Sequence, residues 1–134
     1  MTKLLKIEGI GTTVATKLHN AGIDSIESLL EVGSTPDGRA QLAAATRISS
    51  RRLLRFVHRA DLARVKGIGE EYADLLEVAG IHNVGQLADA DADALVIKIR
   101  EINQYRKLVR RLPAKRLVLE WIGRAQRLKP LVVY

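Results

Sequence analysis

The chain contains no cysteine, so disulfides, thiolate metal sites and cysteine nucleophiles are excluded together. Aromatic residues make up only 4% of the 134 positions (Phe56, Tyr72, Tyr105, Trp121 and Tyr134), so any core is built mainly from aliphatic side chains. The three histidines, His19, His58 and His82, lie far apart with no paired ligand spacing, which argues against a bound metal or catalysis through one. No apolar run approaches the roughly 20 residues of a membrane span. The opening MTKLLKIEG turns polar too soon for a secretory leader, so a cytoplasmic protein is expected. Carboxylates, serines and threonines occur where helix faces and caps need them. No phosphate-binding loop or dinucleotide fingerprint is present, so no enzymatic activity and no cofactor are expected.

What is present is helix-forming and strongly segregated in charge. Hydrophobic residues reach 47%, enough for a globular core, and alanine and leucine dominate them. The net charge is +7, from 22 bases and 15 acids. Residues 47–66 hold seven bases and one acid, Asp61. Residues 67–97 hold seven acids and no lysine or arginine, and residues 98–129 hold eleven bases against Glu101 and Glu120. Blocks of this kind point either to an anionic partner or to association of opposite patches on protein surfaces.

An internal repeat orders the pattern. IEGIGTTVATKLHNAGIDSIESLLEVG, from Ile7, aligns with VKGIGEEYADLLEVAGIHNVGQLADAD, from Val65, at an offset of 58 residues. Further on, RRLLRFVHRA from Arg51 aligns with RLVLEWIGRA from Arg116 at an offset of 65, setting Phe56 over Trp121. The chain therefore reads as one domain, 1–134, made of two related units at about 4–63 and 64–129. Each unit is small enough that one shared core is expected.

Each unit reads as helices. Thr12 and Thr13 open a helix after Gly9 and Gly11, and Gly22 ends it in the left-handed conformation that glycine adopts most easily. Asp24 and Ser25 can cap a helix over 26–31. Thr35-Pro36-Asp37 combines a capping hydroxyl, proline at the first position and an acid at the positive end. Ser49 or Ser50 begins a longer helix to about Ala63, with Leu53, Leu54, Phe56, Val57 and Ala60 on one side and Arg51, Arg52, Arg55 and Arg59 on the other. In the second unit the apolar face rotates between Ile102 and Tyr105, which predicts a break near Asn103. Pro113 stops that segment, and a last helix spans about 115–128 with Leu117, Val118, Trp121, Ile122 and Ala125 inward. Leu131–Tyr134 could be extended.

The pattern apolar-x-Gly-Ile-Gly-x-x-x-Ala-x-x-Leu thus occurs twice, at Ile7–Leu18 and Val65–Leu76. It resembles the helix-hairpin-helix motif, whose members mostly bind DNA without sequence preference. The ending Lys17–Leu29 also looks like the modules in recombinase N-terminal domains and the RNA polymerase alpha C-terminal domain. Over nearly its full length, through IEGIG, LLEVGSTPDGRAQLA, HRADLARVKGIGEEYADLLEVAGI, VRRLP and LVVY, the chain resembles a bacterial family of unknown function built from tandem helix-hairpin-helix repeats. The resemblance implies an all-α fold of two such units packed as one domain. It also implies nucleic-acid binding through the sugar-phosphate backbone.

The physical basis is a tight glycine turn that aims successive backbone N–H groups at a phosphate from a helix N-terminus. For the first turn the candidate residues are Gly9, Ile10, Gly11, Thr12 and Thr13, with Lys17. Charge for a DNA or RNA backbone would come from Arg51, Arg52, Arg55 and Arg59, and from Arg106, Lys107, Arg110, Arg111, Lys115 and Arg116. The second turn, Gly67, Ile68 and Gly69, runs into Glu70 and Glu71, which suit a helix N-terminus but repel phosphate. It reads more readily as a structural turn capped by acids of its own helix. LAAATRISSRRLLRFV also resembles a helix-turn-helix, with Arg51, Arg52 and Arg55 on the recognition helix and Arg47 in place of the usual turn glycine. The competing functional reading is a protein-interaction or self-assembling scaffold, in which the acidic segment of one chain docks on an arginine row of another.

Overall fold

A computed structural model describes residues 2–134. Among these residues all regular structure is helical: eight α-helices and one 3-10 turn, Leu4–Lys6. The chain forms two compact units, one holding the described residues up to Asp61 together with Leu131–Tyr134, the other Leu62–Pro130. Each unit has its own apolar cluster, one centred on Leu18, Leu29, Leu53, Phe56 and Val57, the other on Leu75, Leu76, Val84, Leu87 and Trp121. Clusters built on Phe56 in one unit and Trp121 in the other close around those aromatics separately, so each unit fills its own interior.

The first unit comprises α1 (Thr12–Asn20), α2 (Ile26–Gly33), α3 (Pro36–Thr46) and α4 (Ser50–Leu62), whose last residue, Leu62, already belongs to the second unit's core. The predicted punctuation is visible in the backbone. Gly22 takes φ +88 after α1. The Ser25 side chain accepts from the Ser28 N–H at 3.1 Å, and the Ser28 hydroxyl accepts from the Ser25 N–H, a capping box in which serine stands where glutamate is usual. Thr35 caps α3 by accepting from the Gly38 N–H at 3.1 Å, with Pro36 opening the helix. Arg47 ends α3 at φ 60, left-handed without being glycine. Ser49 accepts from the Arg52 N–H at 3.2 Å to begin α4.

A strap from the far end of the sequence completes this unit. Arg39 is only 6% exposed; it donates through Nη1 to the Gly33 carbonyl at 2.8 Å and through Nη2 to the Val133 carbonyl at 2.7 Å. The Val133 N–H in turn donates to the Ser34 carbonyl, and Tyr134 meets His58 through a 2.7 Å Oη–Nε2 hydrogen bond. The tail thus supplies main-chain partners for a guanidinium that would otherwise be buried at high cost.

The second unit comprises α5 (Glu70–Val78), α6 (Val84–Ala88), α7 (Ala92–Arg106) and α8 (Lys115–Gln126). Its local backbone repeats that of the first: Gly67 and Gly80 take φ +98 and +91 where Gly9 and Gly22 take +91 and +88. Asn83 caps α6 as Ser25 caps α2, and Lys107 is left-handed after α7 as Arg47 is after α3. The break expected near Asn103 lies instead at Lys107. Asn103 stays helical, and its side chain grips the backbone of Val109 with two 3.1 Å hydrogen bonds, donating from Nδ2 and accepting at Oδ1. The rotation of the apolar face read from the sequence therefore marks the loop after α7, which tucks Val109 back inside.

Candidate nucleic-acid interface

The first Gly-Ile-Gly turn is anchored by one buried side chain, Ile10, between two exposed glycines. Gly9 needs its positive φ, and a Cβ there would stand 3.2 Å from Phe56 Cε1, so the turn rests directly on the ring of α4. Gly11 is the N-cap of α1, with open space where a Cβ would project and no side-chain cap on the helix amides. No acid occupies the first turn of α1; Thr12 and Thr13 are exposed there, and Lys17 is exposed further along. An uncapped, acid-free helix N-terminus carries a partial positive charge that is free to meet an anion.

Phe56 also fixes where the arginine row stands. The Arg52 guanidinium lies over its ring, 5.6 Å from the centroid, so one side chain touches both the glycine turn and a cation. Arg51 and Arg55 are exposed on the same helix. Arg59 departs from the expected solvent-facing stripe: it is 7% exposed, and its Nη1 lies 3.9 Å from Glu8 Oε2. One helical turn beyond Arg55, it is buried and pairs with the acid that precedes Gly9.

The second turn repeats the backbone and reverses the electrostatics. Trp121 lies beneath Gly67 as Phe56 lies beneath Gly9, with Nε1 3.2 Å from the position of a Gly67 Cβ. Arg124, in register with Arg59, donates through Nη1 to the Lys66 carbonyl at 2.6 Å. However, Glu70 and Glu71 fill the first turn of α5, and they line, with Gly67, Gly69 and Tyr72, a shallow open depression. The positions matching Arg52 and Arg55 are Leu117 and Glu120. The indole N–H of fully buried Trp121 has no hydrogen-bond acceptor.

The remaining bases divide into two groups. Lys115 Nζ sits 2.6 Å from Asp93, a hydrogen bond that pushes the ammonium pKa up, and Arg116 Nε lies 3.7 Å from Glu120. Arg106, Lys107, Arg110 and Arg111 are exposed around the loop that follows α7. Among the described residues no cluster of three or more His, Asp or Glu is placed to hold a metal ion. Among the described residues no helix is long and apolar enough to cross a membrane.

A family model described as a domain of unknown function (DUF4332) matches residues 8–128. The chain belongs to that family. Within the DUF4332 span lie both glycine turns, the arginine face of α4 and the loop after α7. No curated protein and no solved structure matches the chain.

Sequence reasoning treated Phe56 only as core and Arg59 only as surface. The missed signal lay in their spacing. Phe56 and Arg59 are three apart and repeat as Trp121 and Arg124; Phe56 stands against Gly9 and Arg59 pairs with Glu8, while Trp121 and Arg124 both stand against Gly67. An arginine kept in register with a turn is a candidate to support it, whereas Arg52 and Arg55 are replaced in the second copy by Leu117 and Glu120, so the turn itself does not require them.

Proposed function

We propose that this protein is a non-catalytic nucleic-acid-binding module that grips the sugar-phosphate backbone through a helix-hairpin-helix-like turn in its first unit, with little reading of base sequence. The observation that carries the proposal is the stack Gly9–Phe56–Arg52, which sets an uncapped helix N-terminus beside a cationic helix face. Main-chain amides of Gly11, Thr12 and Thr13 would hold a phosphate oxygen. Arg51, Arg52, Arg55 and Lys17 would neutralise neighbouring phosphates. Nothing in that set distinguishes one base pair from another, because its donors meet phosphate rather than base edges.

The acidic second turn supports the same division of labour. Glu70 and Glu71 stand where Thr12 and Thr13 stand in the first unit, so the second turn carries negative charge that favours its own helix and repels phosphate, and it serves the fold. The experiment is a duplex-binding titration across ionic strength. Four phosphate contacts predict a slope of log K against log salt of about −3.6, from about −0.9 per contact. Alanine at Arg52 and at Arg55 should each make the slope shallower by about 0.9. A flat salt response, or no duplex binding at roughly 50 mM salt where this effect is strong, would refute the proposal.

A further inference from the structure

The loop after α7 is more ordered in its bonding than a solvated basic run requires. Lys107 turns left-handed, at φ 47, and donates its N–H to the Asn103 carbonyl. Asn103 clamps Val109 from both sides of the peptide chain, and Tyr72 Oη donates to the Arg111 carbonyl at 3.4 Å. Val109 and Pro113 are buried. With its interior face held at these points, the loop presents Arg106, Lys107, Arg110 and Arg111 outward, and none of the four forms an ion pair among the described residues. Glu101, one turn earlier on α7, is the sole acid between Asp93 and Glu120.

At the start of this loop stands Tyr105, 85% exposed in the last turn of α7. An aromatic ring left in water on a protein with only five aromatics is not explained by the core, which it does not join. At this exposure the ring is open to a planar partner, and Arg106 and Lys107 follow it directly in the chain. That combination suits an unpaired nucleobase stacked on the phenol, with its phosphates running along the guanidinium groups. A duplex keeps its base faces inside the helical stack, so the ring selects for single strands.

We infer that Tyr105 and the Arg106–Arg111 loop form a docking surface for single-stranded nucleic acid; this rests on the nucleic-acid reading above and adds unpaired bases to its substrates. The test uses the full chain and fluorescence anisotropy with a labelled dT20 strand, a 20-bp duplex and polyglutamate as a polyanion without bases. Tyr105→Ala should weaken dT20 binding roughly tenfold, within the range of one lost stacking contact, and leave duplex binding unchanged. Tyr105→Phe, which keeps the ring, should bind dT20 as the unmodified protein does. Unchanged dT20 affinity in Tyr105→Ala, equal losses on dT20 and duplex, or polyglutamate binding as tight as dT20 would each overturn the inference. Retained, salt-dependent duplex binding in that event would leave the backbone-grip proposal standing, whereas absence of binding to every oligonucleotide would remove both.

Discussion

Exchanging Thr12 and Thr13 for glutamate would copy the second turn's electrostatics into the first while leaving its backbone alone. Both side chains are exposed, Gly11 caps α1 without a side chain, and the first turn of α1 carries no acid. Two effects of opposite sign follow. The new carboxylates meet the positive end of α1, worth about 0.3–1 kcal/mol each, so thermal stability should rise. The same charges oppose an incoming phosphate. At about 5 Å in water each repulsion is about 0.8 kcal/mol, and screening at physiological salt reduces the pair to about 1 kcal/mol in total. Duplex affinity should therefore fall roughly fivefold at physiological salt and further at lower ionic strength. Calorimetric melting and anisotropy titration of the same double variant measure both effects. A higher melting temperature with unchanged duplex affinity would refute the reasoning, because it would mean that no phosphate comes near the N-terminus of α1.

Three further outcomes follow from the packing and the ionisation. Gly38→Ala lies in the first turn of α3, where propensity alone predicts a gain of about 1 kcal/mol; a Cβ there would sit 1.8 Å from the Val32 carbonyl oxygen, so urea unfolding should instead show a loss of about 2 kcal/mol or more. Trp121→Phe removes a buried donor that lacks an acceptor, a relief of about 1–3 kcal/mol that offsets the lost ring volume. Its measured stability should lie within about 1 kcal/mol of the parent, and a loss above about 3 kcal/mol would contradict the expected offset. The Glu27 carboxylate accepts from the Thr2 hydroxyl at 2.7 Å and from the Thr2 N–H, which lowers its pKa from 4.5 to about 2. Because the folded value is depressed, the clasp's contribution is complete above pH 4.5 and is lost as pH falls through about 2. Acid titration of stability should show this sag in the parent and not in Glu27→Gln.

The helices, their caps and the two glycine turns were legible because each is written locally. Ser25, Thr35-Pro36 and Gly22 act on neighbours within a few residues, and the repeat at an offset of 58 doubles the signal for the turns. What sequence could not supply is what depends on distant contact. Arg39 reads as an ordinary surface base on α3, and only the return of Val133, 94 residues away, provides the carbonyl that lets it be buried. Arg59 sits in an exposed-looking row, but α4 carries it in toward Glu8, 51 positions earlier. The α7 boundary was displaced by four residues for a related reason. Asn103 disfavours a helix interior by propensity, yet its amide stabilises this helix end by binding the chain as it turns back at Val109. At the candidate interface, composition identified the bases. The side-by-side arrangement of turn and arginine face depended on Phe56 touching both.

The most direct test follows individual backbone amides by NMR while duplex DNA is added at low salt. The account predicts that the N–H signals of Gly9, Gly11, Thr12 and Thr13 shift together with the Arg52 side chain, while those of Gly67, Gly69, Glu70 and Glu71 stay in place. Shifts at the second turn with none at the first, or binding that leaves both turns unmoved, would contradict it.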